Sequence, residues 1–170
     1  MIRLLTLTSL LLLNGAAYAA EAPTGEAKTF ADKATVSNKY EIDTSELALR
    51  YGKAEDVKTF AEKMIADHKK AGEEFKAALA KANLEPPNET LDVTHSAKYA
   101  KLRVFTTDAG FDRAYVDEQL AAHQDAVATF KDYAANGKNE PLKEFASKTL
   151  PTLEHHLEMV KGLSEKVKAR

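Results

Sequence analysis

The stretch Val57-Lys58-Thr59-Phe60-Ala61-Glu62-Lys63-Met64-Ile65-Ala66-Asp67-His68-Lys69-Lys70-Ala71-Gly72-Glu73-Glu74-Phe75 decides the fold class. Val57, Phe60, Ala61, Met64, Ile65, Ala71, Phe75 and then Leu79 recur at steps of three and four. That is one face of an α-helix and not the alternation of a strand. Lys69-Lys70 and Glu73-Glu74 lie four apart off this face, as on a solvated helix surface. One position on the apolar stripe is not apolar: His68.

Working outward, the helix is expected from about Ala54 to Asn83, where Leu84-Glu85-Pro86-Pro87-Asn88 stops it, since proline cannot continue the hydrogen-bond ladder. Upstream, a helix over Thr29–Arg50 turns Phe30, Ala34, Ile42 and Leu49 inward and is broken at Gly52. Downstream, a short helix covers Ser96–Thr106. Asp108-Ala109-Gly110 is turn chemistry, with Asp108 placed to cap the next helix. That long helix, over Phe111–Ala135, presents Val116, Leu120, Val127 and Phe130 inward, and Asn136-Gly137-Lys138-Asn139 is a tight connection. Asn139 then caps a last helix with Pro141 in its first turn and an inner stripe of Leu142, Phe145, Leu153, Val160, Leu163 and Val167. Pro151 inside that helix is expected to kink it just before His156. Two short-looped hairpins joined by a long crossover predict an all-α, ferritin-like antiparallel four-helix bundle, with a short extra helix in the crossover between its second and third long helices. A weak internal repeat agrees: Val57–Ile65 matches Leu142–Leu150 in pattern, each just after a hairpin loop.

The first residues read as a secretory signal peptide. Arg3 gives the positive start, Leu4–Leu13 the apolar run, and Ala17-Tyr18-Ala19 the small-x-small cleavage pattern, so residues 1–20 are expected to be removed. The run falls short of the about 20 residues of a membrane span, and no transmembrane segment is expected after cleavage. The domain plan is then a signal peptide at 1–20, a polar leader at 21–28 and one bundle domain at 29–170. The location is periplasmic, either free or membrane-associated. Net charge is −2 with no lysine–arginine cluster, which argues against nucleic acid as a partner. Cysteine is absent, excluding disulfides, thiolate zinc sites, iron–sulfur clusters, lipid attachment through cysteine and cysteine nucleophiles. No nucleophile elbow and no glycine-rich phosphate loop is present, so a hydrolase or nucleotide enzyme is not expected.

His68, His123 and His156 each occupy a stripe position where leucine is expected, on three different helices, and Glu41 does so on the first. Burying an unpartnered imidazole costs about 1–3 kcal/mol, so such residues call for a common partner. At about 1.5 Å per residue, Glu41 and His68 lie about 17 and 23 Å from the turn near 52, and His123 and His156 about 22 and 27 Å from the turn near 138. Glu41 is 16 residues before Val57 and His123 is 19 before Leu142; His68 is 11 after Val57 and His156 is 14 after Leu142. Both members of the second pair are displaced by the same three residues, so the four are expected to meet at mid-bundle, where this architecture builds metal sites. Met64, one turn before His68, and Asp112 and Tyr115, at the start of the third long helix, are candidates to complete the site. Asp67 points about 100° away from the seam. His155 is expected at the surface, and His95 in local capping of the crossover.

The run Phe60-Ala61-x-x-Met64-x-x-Asp67-His68, then Phe111-Asp112-x-x-Tyr115 with His123, then Leu150-Pro151-x-Leu153-x-x-His156-Leu157 resembles the domain-of-unknown-function 4142 family. The likeness runs from about Phe30 to Leu163. It implies a ferritin-like fold and a bacterial envelope protein, of a kind often labelled predicted outer-membrane protein, and it implies no established activity. The family's first-helix glutamate falls on Glu41, whereas Ser37-Asn38-Lys39-Tyr40 is bulkier than the small residues usual before it.

These residues support two functional readings. In one, Glu41, His68, His123 and His156 bind a transition metal such as copper, zinc, nickel or iron. A ferritin-type di-iron site is not expected, because Ile65 and Leu153 stand where Glu-x-x-His needs glutamate. In the other, the protein is a non-catalytic envelope structural or stress-related interaction module with an envelope protein partner, and its imidazoles bond to Glu41, Gln119, Tyr115 and water merely to fix helix register.

Overall fold

The structure, a computed structural model, describes residues 25–107 and 110–169; the signal-peptide reading and the Asp108 cap lie outside the described residues. The described residues form α1 (Gly25–Tyr51), α2 (Glu55–Lys81), α3 (Val93–Val104), a 3₁₀ turn (Phe105–Thr107), α4 (Phe111–Asn136) and α5 (Glu140–Lys168). α1 packs on α2 and α4 on α5, while α1–α4 and α2–α5 close the ring. α2 and α4 start at the same end and lie across the bundle from each other, so the chain must climb back along the whole bundle between them. α3 makes that return against α1 and α4. The expected four-helix bundle with a crossover helix is the fold.

The turns are set by local chemistry. Gly52 N–H bonds to Ala48 O at 2.9 Å, and a Cβ at Gly52 would sit 2.5 Å from that oxygen, so glycine alone fits this tight exit. Asp112 of α4 then caps α2 from outside the hairpin, accepting from Lys53 N at 2.9 Å and Ala54 N at 2.8 Å. Asn83 takes a left-handed φ of 54° to end α2, with Leu84 N–H returning to Leu79 O. Asn139 caps α5 through Leu142 N, and α5 runs through Pro151 as one helix. In the crossover, Asp92 accepts from both His95 N and His95 Nδ1 at 2.8 Å, the local capping expected of that histidine.

Several expected core positions shift. α1 begins at Gly25, so the leader's last residues are helical and Ala27 is buried. Leu49 is 37% exposed and Ile42 half-buried, whereas Leu47 and Ala48 face inward. Leu49 and Ile42 each stand about 80–100° round the helix from the Glu41 line, and Ala48 only about 20°. Ile65, Ala71, Leu120 and Val127 are half-buried at the edges of their stripes.

The interior is divided. One apolar cluster holds Phe30, Phe75, Leu79, Phe130, Leu142 and Phe145 near the 137–139 turn. The other holds Val57, Phe60, Met64, Phe111, Tyr115 and Val160 near the 52–54 turn. Each fully buried side chain of this size contributes roughly 1.5–3 kcal/mol, so the two clusters hold the bundle. Between them lies a buried polar layer: Glu41, Thr44, Ser45, His68, Gln119, His123 and His156.

Candidate metal centre

α2, α4 and α5 bring His68, His123 and His156 to one level, with exposures of 6%, 1% and 1%. The ring centroids form a near-equilateral triangle, 5.9 Å for His68–His123, 5.7 Å for His68–His156 and 5.5 Å for His123–His156. One donor nitrogen from each ring lies within 4.8 Å of the other two.

Hydrogen bonds fix each tautomer. His68 Nδ1 lies 3.0 Å from Asn38 Oδ1, His123 Nδ1 2.9 Å from the Gln119 carbonyl, and His156 Nε2 2.8 Å from Asp67 Oδ2. All three partners are oxygens that accept, so in each neutral ring that nitrogen carries the proton. The opposite nitrogens, His68 Nε2, His123 Nε2 and His156 Nδ1, are then bare lone pairs, buried and without a hydrogen-bond partner among the described residues. Burial holds the His68 imidazolium well below its ordinary pKa, and the neighbouring His123 and His156 push the same way. Burial also lowers His156, against the pull of Asp67. Burial works to raise Asp67, but hydrogen bonds from His156 and Lys63 outweigh it and keep the carboxyl below its usual range. Lys63 Nζ is 3.0 Å from Asp67. The site thus presents three imidazoles, each oriented from behind by an oxygen, which is the outer-shell arrangement of metal-ligating histidines.

The other expected site residues take different places. Glu41 is buried, with Oε1 3.8 Å from His123 Nδ1, so it meets that ring on its proton-bearing side. Among the described residues its oxygens have no close hydrogen bond. Burial raises its pKa, opposed by His123 and Gln119. The group of converging donor atoms comprises the three histidines and not Glu41. Met64 is packed in the apolar cluster with Phe60 and Val57. Tyr115 does not reach Glu41 or an imidazole; its hydroxyl is 2.9 Å from Ser45 Oγ. Asp112 is spent on capping at the end of the bundle. His155 is exposed.

Two residues that matter escaped the sequence reading. Asp67 does leave its helix about 100° round from His68, but that direction faces α5, so it reaches His156. Its signal was the Lys63-x-x-x-Asp67 pair beside the histidine. Asn38 lay in the segment noted only for its bulk, one turn before Glu41, and it bonds His68 across the α1–α2 interface.

A family model described as a domain of unknown function, DUF4142, matches residues 13–163. The chain belongs to the DUF4142 family. No curated protein matches this DUF4142 chain. Among solved structures it is similar to a crystal structure of a DUF305 fragment from Deinococcus radiodurans, with a TM-score of 0.71 at 15% identity, over 84% of this chain and 97% of that one. At that identity the likeness speaks for the fold alone.

Proposed function

We propose that this chain is an exported, periplasmic helix-bundle protein that holds a transition metal ion through His68, His123 and His156. The observation that carries the reading is the trio of buried imidazole nitrogens whose opposite nitrogens are already committed to Asn38, Gln119 and Asp67. A network serving only to fix register would be expected to close those lone pairs on donors, since each open one costs about 1–3 kcal/mol. A cation satisfies all three at once. At metal–nitrogen distances of about 2.0–2.1 Å, tetrahedral ligands stand about 3.4 Å apart, so nitrogens within 4.8 Å of one another need only a small contraction.

Three imidazole nitrogens and no thiolate suit copper(II), zinc, nickel or iron, with copper(II) favoured by intrinsic affinity. Glu41 and Asp67 supply the compensating negative charge, Glu41 beside His123 and Asp67 behind His156. Export rests on the Arg3, Leu4–Leu13, Ala17-Tyr18-Ala19 pattern. The test is elemental analysis of protein purified from the periplasm, beside the variant in which His68, His123 and His156 are all alanine. One equivalent of a first-row metal is expected in the wild type and none in the variant. Equal metal in both overturns the reading.

A further inference from the structure

The histidine layer borders a cavity of about 80 Å³. A single water needs about 10–15 Å³ measured in this way, so there is room for a molecule of several atoms. The cavity enters the bundle between α1, α2 and the crossover, where Pro86, Pro87 and Glu89 form its rim, and His68, His123 and Glu41 are among its lining residues. Its body is apolar, with Phe75, Leu79, Phe130, Phe145 and Leu153 among the walls. His156 does not line it. The triad therefore has a closed side at His156 and an open side at His68 and His123. Three protein ligands with an approachable fourth position distinguish a metal site that takes an exchangeable ligand from a purely structural one.

The polar groups on the wall limit what enters. Lys39 and Lys76 line the cavity, but Lys39 is held by Asp43 at 2.6 Å, and Lys76 by Glu73 at 3.3 Å and Glu89 at 3.1 Å. Neither cation is free to recruit an anion. Glu41 at the inner end is unfavourable to an anion whenever it is ionised, and the apolar walls do not solvate any charge. Thr149 Oγ, on the wall and 8% exposed, has no hydrogen-bond partner among the described residues.

We propose that this cavity is a binding site for a small uncharged heterocycle of the pyridine or azole class, its ring among Phe75, Leu79, Phe130 and Phe145 and its nitrogen turned toward His68 and His123. The nitrogen's coordination rests on the proposed metal site; the seating of the ring in the cavity does not.

The experiment uses pyridine as probe, with benzene and acetate beside it, on chelator-treated and on cobalt(II)-loaded protein. In the metal-free protein, side-chain NMR of the Phe and Leu residues is expected to show saturable shifts with pyridine and benzene, at a dissociation constant on the order of 1 mM, and none with acetate. In the cobalt form, pyridine is expected to move the visible d–d bands and benzene to leave them in place. Ala71→Phe fills the cavity from α2, and Ala126→Leu does so more gently from α4. In whichever variant keeps the wild-type helical circular dichroism, pyridine binding is expected to weaken about tenfold or more. The proposal is overturned if metal-free wild type shows no saturable pyridine shift, if the folded filled variant binds pyridine as well as wild type, or if acetate competes equally. Failure to take up cobalt sinks the metal reading alone, and the metal-free titration still decides the cavity.

Discussion

Replacing His123 by leucine separates a ligand from a structural tie, because the two roles predict opposite changes in stability. In the metal-free protein His123 is 1% exposed with Nε2 unpartnered. Removing that lone pair relieves about 1–3 kcal/mol. The bond lost is Nδ1–H to the Gln119 carbonyl, worth about 0.5–1.5 kcal/mol, and that carbonyl remains in position to accept the helical N–H of residue 123. Leucine is close in volume and wholly apolar, so the metal-free variant is expected to be more stable than wild type by about 1 kcal/mol. For a domain of this size that is a rise of about 2–4 °C in Tm. The assay is thermal or urea unfolding with a chelator present, then with copper(II) or zinc. At free metal a hundredfold above its dissociation constant, wild type gains about 2.7 kcal/mol and should overtake the variant, which gains little. A metal-free His123→Leu protein that is less stable than wild type by 1 kcal/mol or more, with no metal-dependent crossing, would refute the reasoning.

Asp67→Ala removes the oxygen behind His156 and should weaken metal affinity about 10–100-fold, and by leaving the buried Nε2–H unpaired it should also cost the metal-free protein about 1–3 kcal/mol; competition with a chromogenic chelator and urea unfolding measure the two effects. Asp112→Ala takes away both acceptors at the start of α2 and should cost about 0.5–2 kcal/mol while leaving metal affinity unchanged. Metal-free stability should fall as pH drops through 6.5, because His68 and His156 have folded pKa values lowered by burial. The unfolded chain then binds more protons than the folded one, and stability is lost from the unfolded pKa downward, by at most about 1.4 kcal/mol per pH unit for each proton. Glu41, raised by burial, acts in the opposite sense, its stabilisation present at low pH and fading as pH rises above 4.5. Comparing wild type with His68→Leu over pH 5–7 removes that contribution by difference, and the variant should show the shallower slope.

Helix existence, order and pairing were legible because apolar periodicity records them directly: Val57, Phe60, Ala61 and Met64 are all buried where the spacing put them. The three histidines were legible for the same reason, as polar residues on an apolar stripe. What was not legible is what each imidazole touches. That depends on helix rotation to within a few tens of degrees and on the packing of neighbouring helices, which a stripe does not carry. Asp112 shows the limit from the other side. It shares a seam with His123 in projection, but it stands about three turns away along the axis, beside the backbone N–H groups that claim it.

The repeat explains why the polar layer is so compact. Val57 and Leu142, Phe60 and Phe145, and Ala61 and Ala146 are buried pairs, yet they lie in clusters at opposite ends of the bundle. A strict two-fold relation between the hairpins would therefore carry the Glu41 and His68 positions onto residues 126 and 153. Counted from the end of the 52–54 turn, His68 stands about 20 Å up α2, whereas Ala126 and Leu153 stand about 22 Å up and His123 and His156 about 18 Å. With the second pair of polar residues at 126 and 153, the two sets would straddle the bundle's midpoint. Displacing both by three residues lowers them together, to the side of His68 nearer Glu41, which stands about 15 Å up. The same displacement leaves an alanine and a leucine at the symmetric positions, and Ala126 and Leu153 are both walls of the cavity. One register offset thus gathers the imidazoles and opens the apolar chamber beside them, which is why the histidine cluster and the cavity are best treated as one site.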